Sequence, residues 1–151
     1  MALSGKVSIE FGIQATISQW FNLFHKNLNH VQNICERIHQ AKVHEGDWHT
    51  IGSVKNWTFI IDGKPVKHKE KIEAIDESKK TITWSFFDED LGQQYKVFIL
   101  TMELNEKNDG SYLLKWTIEY EVVNENVEPP YSYLDFLNKS SKHVDDYLVG
   151  A

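Results

Sequence analysis

The spacing of apolar residues changes period several times along the chain, and each change marks an element. Val7 to Phe11 alternates weakly and predicts a first strand. From Thr16 to Phe24 the period lengthens: Ile17, Trp20, Phe21 and Phe24 fall at helical spacing, and Thr16 is placed as an N-cap. A second short helical piece covers about His30 to Arg37. Ile38 to Val43 returns to strand and ends at Glu45-Gly46-Asp47. Ser53 to Ile61 is rich in β-branched and aromatic residues, and Asp62-Gly63 after it is a hairpin signal. Val66 to Ile75 predicts a charged, polar strand, followed by a turn at Asp76-Glu77-Ser78. In Thr81 to Phe87, Ile82, Trp84 and Phe86 share one face, as in a half-buried antiparallel strand. Gln94 to Leu104 and Tyr112 to Val123 are two more strands around a turn at Asn108-Asp109-Gly110. After Glu128-Pro129-Pro130, which suits a helix start, Tyr133, Phe136, Leu137, Val144, Tyr147 and Leu148 form an apolar stripe on a helix of about five turns. The order is strand, two short helices, six strands, one long helix. It predicts an α+β fold in which a curved seven-stranded antiparallel sheet grips the C-terminal helix. No linker, repeat or low-complexity stretch interrupts residues 1–151, which are expected to form one domain.

Composition narrows the function. A net charge of −6 with lysines scattered among acids leaves no basic footprint for nucleic acid, so no such partner is expected. The single cysteine, Cys35, fits a reducing compartment, and its thiol has no evident activating neighbour. The first ten residues lack the pattern of a secretory leader, and no apolar run is long enough to span a membrane. A cytoplasmic protein without stable membrane insertion is therefore expected. His39, His44 and His49 are five apart, which on a strand places neighbours on opposite faces, and no Cys or carboxylate completes a set; no metal or other cofactor is expected. Aromatic residues make up 13% of the chain, rich enough to line a pocket as well as fill a core.

Several local motifs, in order, resemble those of the major latex proteins within the wider Bet v 1 superfamily, a helix-grip, START-like architecture. They are Leu3-Ser4-Gly5-Lys6, Glu45-Gly46-Asp47-Trp48 with Ile51-Gly52-Ser53-Val54, Ile61-Asp62-Gly63-Lys64, Ala74-Ile75-Asp76-Glu77, Trp116-Thr117-Ile118-Glu119-Tyr120-Glu121 and Glu128-Pro129-Pro130. The resemblance spans essentially the whole chain. It implies a sheet wrapped around a long helix with a large hydrophobic cavity between them, and a plant protein linked to defence or stress that binds apolar or amphipathic metabolites. One departure stands out. The superfamily's glycine-rich loop corresponds here to Glu45 to Gly52, where only two glycines remain beside the bulky Trp48 and His49. A cradle of backbone amides for phosphate needs more glycine than that.

Carried onto this chain, the resemblance turns inward faces into candidate ligand contacts. These are Lys55, Trp57 and Phe59 on the third strand, Ile82, Trp84 and Phe86 on the fifth, and Val97, Ile99 and Thr101 on the sixth. Thr117, on the seventh, is expected to point inward with Thr101. Tyr133, Phe136, Leu137 and Ser140 share a stripe of the last helix with Val144, while Phe24 and Ile38 match cavity positions of the family. Ser140 interrupts an apolar stripe where a packed core prefers Leu or Ala. Residue types alone allow an ordinary core at all these places.

Some relatives in the superfamily are enzymes of alkaloid metabolism. Lys115 resembles the lysine of a condensing relative, but alternation puts it opposite Leu114, Trp116 and Ile118, on the solvent side. His68 would be a candidate base and ligand contact if it faced inward, although its charged strand reads as surface. The expected function is binding or carriage of an apolar or amphipathic small molecule by a monomer or weak dimer, without catalysis. The alternatives are an isomerase or cyclase using Lys115 or His68, and a protein-binding regulator using the charged face from Lys64 to Glu77.

Overall fold

The computed structural model describes residues 3–35 and 37–150. Its seven strands are β1 (Ser4–Ile13), β2 (Ile38–Glu45), β3 (Val54–Ile61), β4 (Lys64–Asp76), β5 (Thr81–Phe87), β6 (Tyr95–Glu106) and β7 (Tyr112–Val122). They form one antiparallel sheet in the order β1-β7-β6-β5-β4-β3-β2. The helices are α1 (Ile17–Lys26), the single turn α2 (Glu89–Gly92) and α3 (Tyr131–Gly150), with a 3₁₀ segment at Leu28–Asn33. The predicted helix near residues 30–37 is this tighter turn, set earlier in the chain; part of the predicted stretch, Glu36, lies outside the described residues.

Local chemistry explains the boundaries. Thr16 caps α1 as expected, and in a reciprocal box: its Oγ1 accepts from the Gln19 amide at 3.1 Å while Gln19 Oε1 accepts from the Thr16 amide at 2.9 Å. The β3–β4 hairpin turns on Asp62 and Gly63, both left-handed at φ 52° and 76°, the requirement of a two-residue primed turn. Register shifts at Ile38/Gln40, Val43/Glu45, Ile72/Ala74 and Tyr95/Val97 bend the sheet, as bulges do. β2 and β1 are its two edges, and α1 with the 3₁₀ segment connects them.

The concave face is closed by α3, whose Phe136, Leu137, Ser140, Ser141, Val144 and Leu148 are buried. Its far end is tied down by Asp145, which accepts hydrogen bonds from the amides of Gln14 (2.9 Å) and Ala15 (3.0 Å) and from the indole of Trp20 (3.0 Å). Trp116 donates to Ser141 Oγ at 2.8 Å, a second buried link between sheet and helix. No helix among the described residues is long and apolar enough to cross a membrane.

Candidate ligand cavity

Between sheet and α3 lies a cavity of about 90 Å³, several times the roughly 10–15 Å³ that one water needs. Its wall is almost wholly apolar. Trp57 and Phe59 come from β3, Trp84 and Phe86 from β5, Phe98 and Leu100 from β6, and Trp116 and Ile118 from β7. Phe24, Leu28, Val31 and Ile38 close one side, and Tyr133, Phe136, Leu137, Ser140, Ser141 and Val144 come from α3. Aromatic contacts knit this wall together: Trp57 stacks on Phe59 at 5.6 Å, Phe59 meets Phe136 edge-on at 5.1 Å, and Phe98 meets Tyr133 at 4.9 Å.

The structure brings together Phe24, Ile38, Trp57, Phe59, Trp84, Phe86, Tyr133, Phe136, Leu137 and Ser140 on this wall. Ile82 shares the face of Trp84 but is buried in the core beyond the cavity. Four expected positions are corrected. Val97, Ile99 and Thr117 lie on the outer face of the sheet, with Thr101. Across β6 and β7, Phe98 pairs with Tyr120, Leu100 with Ile118 and Met102 with Trp116, so the large residues of both strands take the inner face. Val97 and Ile99 then pair with Glu121 and Glu119, and Thr101 with Thr117, among charged neighbours. Four consecutive apolar residues, Val97 to Leu100, hide the parity in sequence; the identity of the cross-strand partners resolves it. Lys115 sits opposite Glu10 and Glu103 on the same outer face, away from the cavity.

The charged strand β4 holds the main surprise, because His68, Glu70 and Ile72 alternate inward and are buried. His68 is only 5% exposed, which corrects the surface reading of its strand. Its Nδ1 lies 3.0 Å from Asp88 Oδ1 and its Nε2 2.8 Å from the Tyr133 hydroxyl, so it bridges the start of α3 to the β5–α2 corner. Burial, foremost, holds the Tyr133 phenol above its ordinary range. His68 does not line the cavity, so the expected ligand contact is not made, and neither ring nitrogen is left free to act as a base toward it.

Lys55 and Glu70 face each other across β3 and β4, with Lys55 0% and Glu70 4% exposed. Lys55 Nζ is 3.3 Å from Glu70 Oε1 and donates to the Trp48 carbonyl at 3.2 Å. Lys55, expected as a ligand contact, does not line the cavity: its ammonium is turned to Glu70 and the Trp48 carbonyl, and Glu70 reaches the wall instead. Desolvation pushes the Glu70 carboxyl up to about 7, against the pull of Lys55. Glu70 escaped sequence reasoning because a Lys/Glu-rich strand resembles a solvated face; the alternation of His68, Glu70 and Ile72 was the available signal.

The loop before β3 is occupied by its own carboxylate. Asp47 Oδ1 accepts from the amides of His49 (2.8 Å) and Thr50 (2.7 Å), and Oδ2 accepts from the Thr50 hydroxyl at 2.6 Å. These bonds hold the Asp47 carboxyl well below the usual carboxylate range. A Cβ at Gly46, left-handed at φ 79°, would come 2.5 Å from Ser53 Oγ, so that glycine is fixed by the turn itself. The amides that would cradle a phosphate are thus already filled by an anion of the chain. Among the described residues no group of three or more His, Cys, Asp or Glu side chains is placed to hold a metal; the side chain of His39 lies outside them. Cys35 is free and buried.

A model of the pathogenesis-related protein Bet v 1 family matches residues 2–151. MLP-like protein 43 of Arabidopsis thaliana is 34% identical over 150 residues, 98% of this chain and 95% of that protein. Major latex protein 22 of Papaver somniferum is 34% identical over 151 residues, 99% of this chain and 93% of that one. A crystal structure of ginseng major latex-like protein 151 from Panax ginseng superposes with a TM-score of 0.92 at 33% identity, covering 97% of this chain and 98% of that one.

Proposed function

Because this chain belongs to the pathogenesis-related protein Bet v 1 family, with major latex proteins among its relatives, we propose that it binds and carries an apolar or amphipathic small plant metabolite in the cavity under α3. The observation that carries this reading is the cavity itself, roofed by α3 and walled by aromatic side chains from β3, β5, β6 and β7. Interiors normally pack without such voids. Binding without chemistry fits the site, since His68 has both nitrogens engaged and Lys115 lies outside. The setting we propose is a cytoplasmic role in plant defence or stress response.

Affinity follows from area. A ligand burying roughly 400 Å² of apolar surface gains about 10 kcal/mol at about 25 cal/mol per Å², and association costs at least about 4 kcal/mol. The remaining ~6 kcal/mol corresponds to tens of micromolar, with loose selection by shape.

The test is a fluorescence titration with the neutral, polarity-sensitive dye prodan, on the parent and on Ser140→Trp. Ser140 lies on the cavity wall, and an indole there grows into the space. Saturable one-to-one binding by the parent is expected, weakened at least tenfold in Ser140→Trp with the far-ultraviolet spectrum unchanged. Equal affinity in a folded Ser140→Trp protein would place the dye elsewhere and remove this reading.

A further inference from the structure

Buried polar atoms almost always find partners, since leaving one unmet costs free energy. Here Trp57 Nε1, Trp84 Nε1 and Ser140 Oγ are buried with no hydrogen-bond partner, Glu70 Oε1 has the Lys55 ammonium at 3.3 Å but no aligned hydrogen bond, and all four residues line the same cavity. The sheet register clusters three of them. Glu70 on β4 pairs with Lys55 on one side and Phe86 on the other, while Trp57 pairs with His68 and Trp84 with Ile72. Trp57 and Trp84 are therefore the diagonal neighbours of Glu70 on the two flanking strands, on the same face. A carboxyl group stands between two indoles, with Ser140 on the helix as a further unmet hydroxyl.

Indole N–H groups only donate, an ionised carboxylate only accepts, and a hydroxyl does both. A hydrocarbon ligand satisfies none of these atoms. A ketone or ether accepts from an indole but gives nothing to Glu70 in its ionised form, the form held above about pH 7. A carboxylic acid sets like charge against ionised Glu70, and the buried ammonium beside it, Lys55, already contacts Glu70 and the Trp48 carbonyl. A hydroxyl accepts from Trp57 or Trp84 and donates to Glu70 Oε1 in one place.

We propose that the cavity is a selective site for hydroxylated hydrophobes, phenols or alcohols on a compact ring body, whose hydroxyl is read by Glu70 between the indoles of Trp57 and Trp84. The proposal rests on the binding function above and adds the chemical class of the ligand.

The experiment compares naphthalene, α-methoxynaphthalene and α-naphthol, matched in ring body, by displacement of prodan from the full chain at pH 8, where Glu70 is ionised. The expected order is α-naphthol at least tenfold tighter than naphthalene, with the methyl ether nearer to naphthalene. Trp57→Phe and Trp84→Phe, which leave the Lys55–Glu70 pair in place, are each read as the ratio of naphthol to naphthalene affinity; a fall of threefold or more in either is expected. Naphthol and naphthalene binding within twofold of each other, or a ratio unmoved by both substitutions, would overturn the hydroxyl site while leaving the cavity reading standing. Failure of all three to displace a bound dye would overturn both.

Discussion

Replacing Lys55 alone by methionine is expected to destabilise the fold by about 3–5 kcal/mol, whereas Lys55→Met with Glu70→Leu returns it to near the parent. The reason is burial. Both groups are sealed from water, and Lys55 is held by Glu70 and by the Trp48 carbonyl. Removing the ammonium leaves a carboxyl group in an apolar wall with nothing to offset its lost hydration. Removing both charges leaves no such debt. The pair also gives the parent a pH signature. Glu70 titrates at about 7 in the fold against 4.5 for an unperturbed carboxyl, so the folded state holds a proton that the unfolded chain has released. Stability from this group therefore falls as pH rises from 4.5 toward about 7 and is level above it, by up to about 3 kcal/mol. Urea unfolding at pH 5 and pH 8 reads both effects: the penalty of Lys55→Met is larger at pH 8, and the double substitution flattens the profile. Equal unfolding midpoints for Lys55→Met and the parent at pH 8 would show that the pair is not buried as described.

Asp145→Ala is the second large effect, about 3 kcal/mol, because one carboxylate satisfies three donors from a distant part of the chain. The amides of Gln14 and Ala15 and the indole of Trp20 all converge on it, and Trp20 is fully buried. Hydrogen bonds to a charged acceptor contribute about 1.5–3 kcal/mol each but do not sum independently. At this chain length the loss corresponds to a melting temperature lower by roughly 6–12 °C. Asp145→Asn keeps one acceptor oxygen and should recover about half. A thermal scan of the three proteins checks the order; a melting point for Asp145→Ala within a degree of the parent contradicts the clamp.

Much of the fold was legible because period and punctuation agree. Asp62-Gly63 and Asn108-Asp109-Gly110 mark turns that the backbone makes with left-handed residues at Asp62, Gly63 and Gly110, and Thr16 announces α1. The shared faces of β3 and β5 followed from alternation, that of α3 from helical spacing, and the resemblance turned them inward. β6 did not, because Val97 to Leu100 is apolar at both parities, and only the pairing with Trp116, Ile118 and Tyr120 chooses between them. α2, a single turn, is too short to carry a periodic signal. The polar half of the cavity was the least legible. Lys55 could be placed inward by its neighbours Trp57 and Phe59, but its partner Glu70 belongs to a strand whose composition suggests water. Charge in sequence does not declare which face of a strand it occupies. Likewise Asp88, which holds His68 from the β5–α2 corner, became visible only when the sheet brought it within 3.0 Å.

The five tryptophans allow a direct test of the cavity, because their indole N–H groups are probes at known places. Trp57, Trp84 and Trp116 line the cavity, while Trp20 is buried outside it with its indole bound to Asp145. Titrating nitrogen-15-labelled protein with α-naphthol and following the five indole cross-peaks should give saturable shifts for Trp57 and Trp84, a smaller one for Trp116 and none for Trp20. Shifts that fail to saturate, or that leave Trp57 and Trp84 unmoved while residues of the outer face such as Ile99 and Thr117 respond, would contradict an internal ligand site.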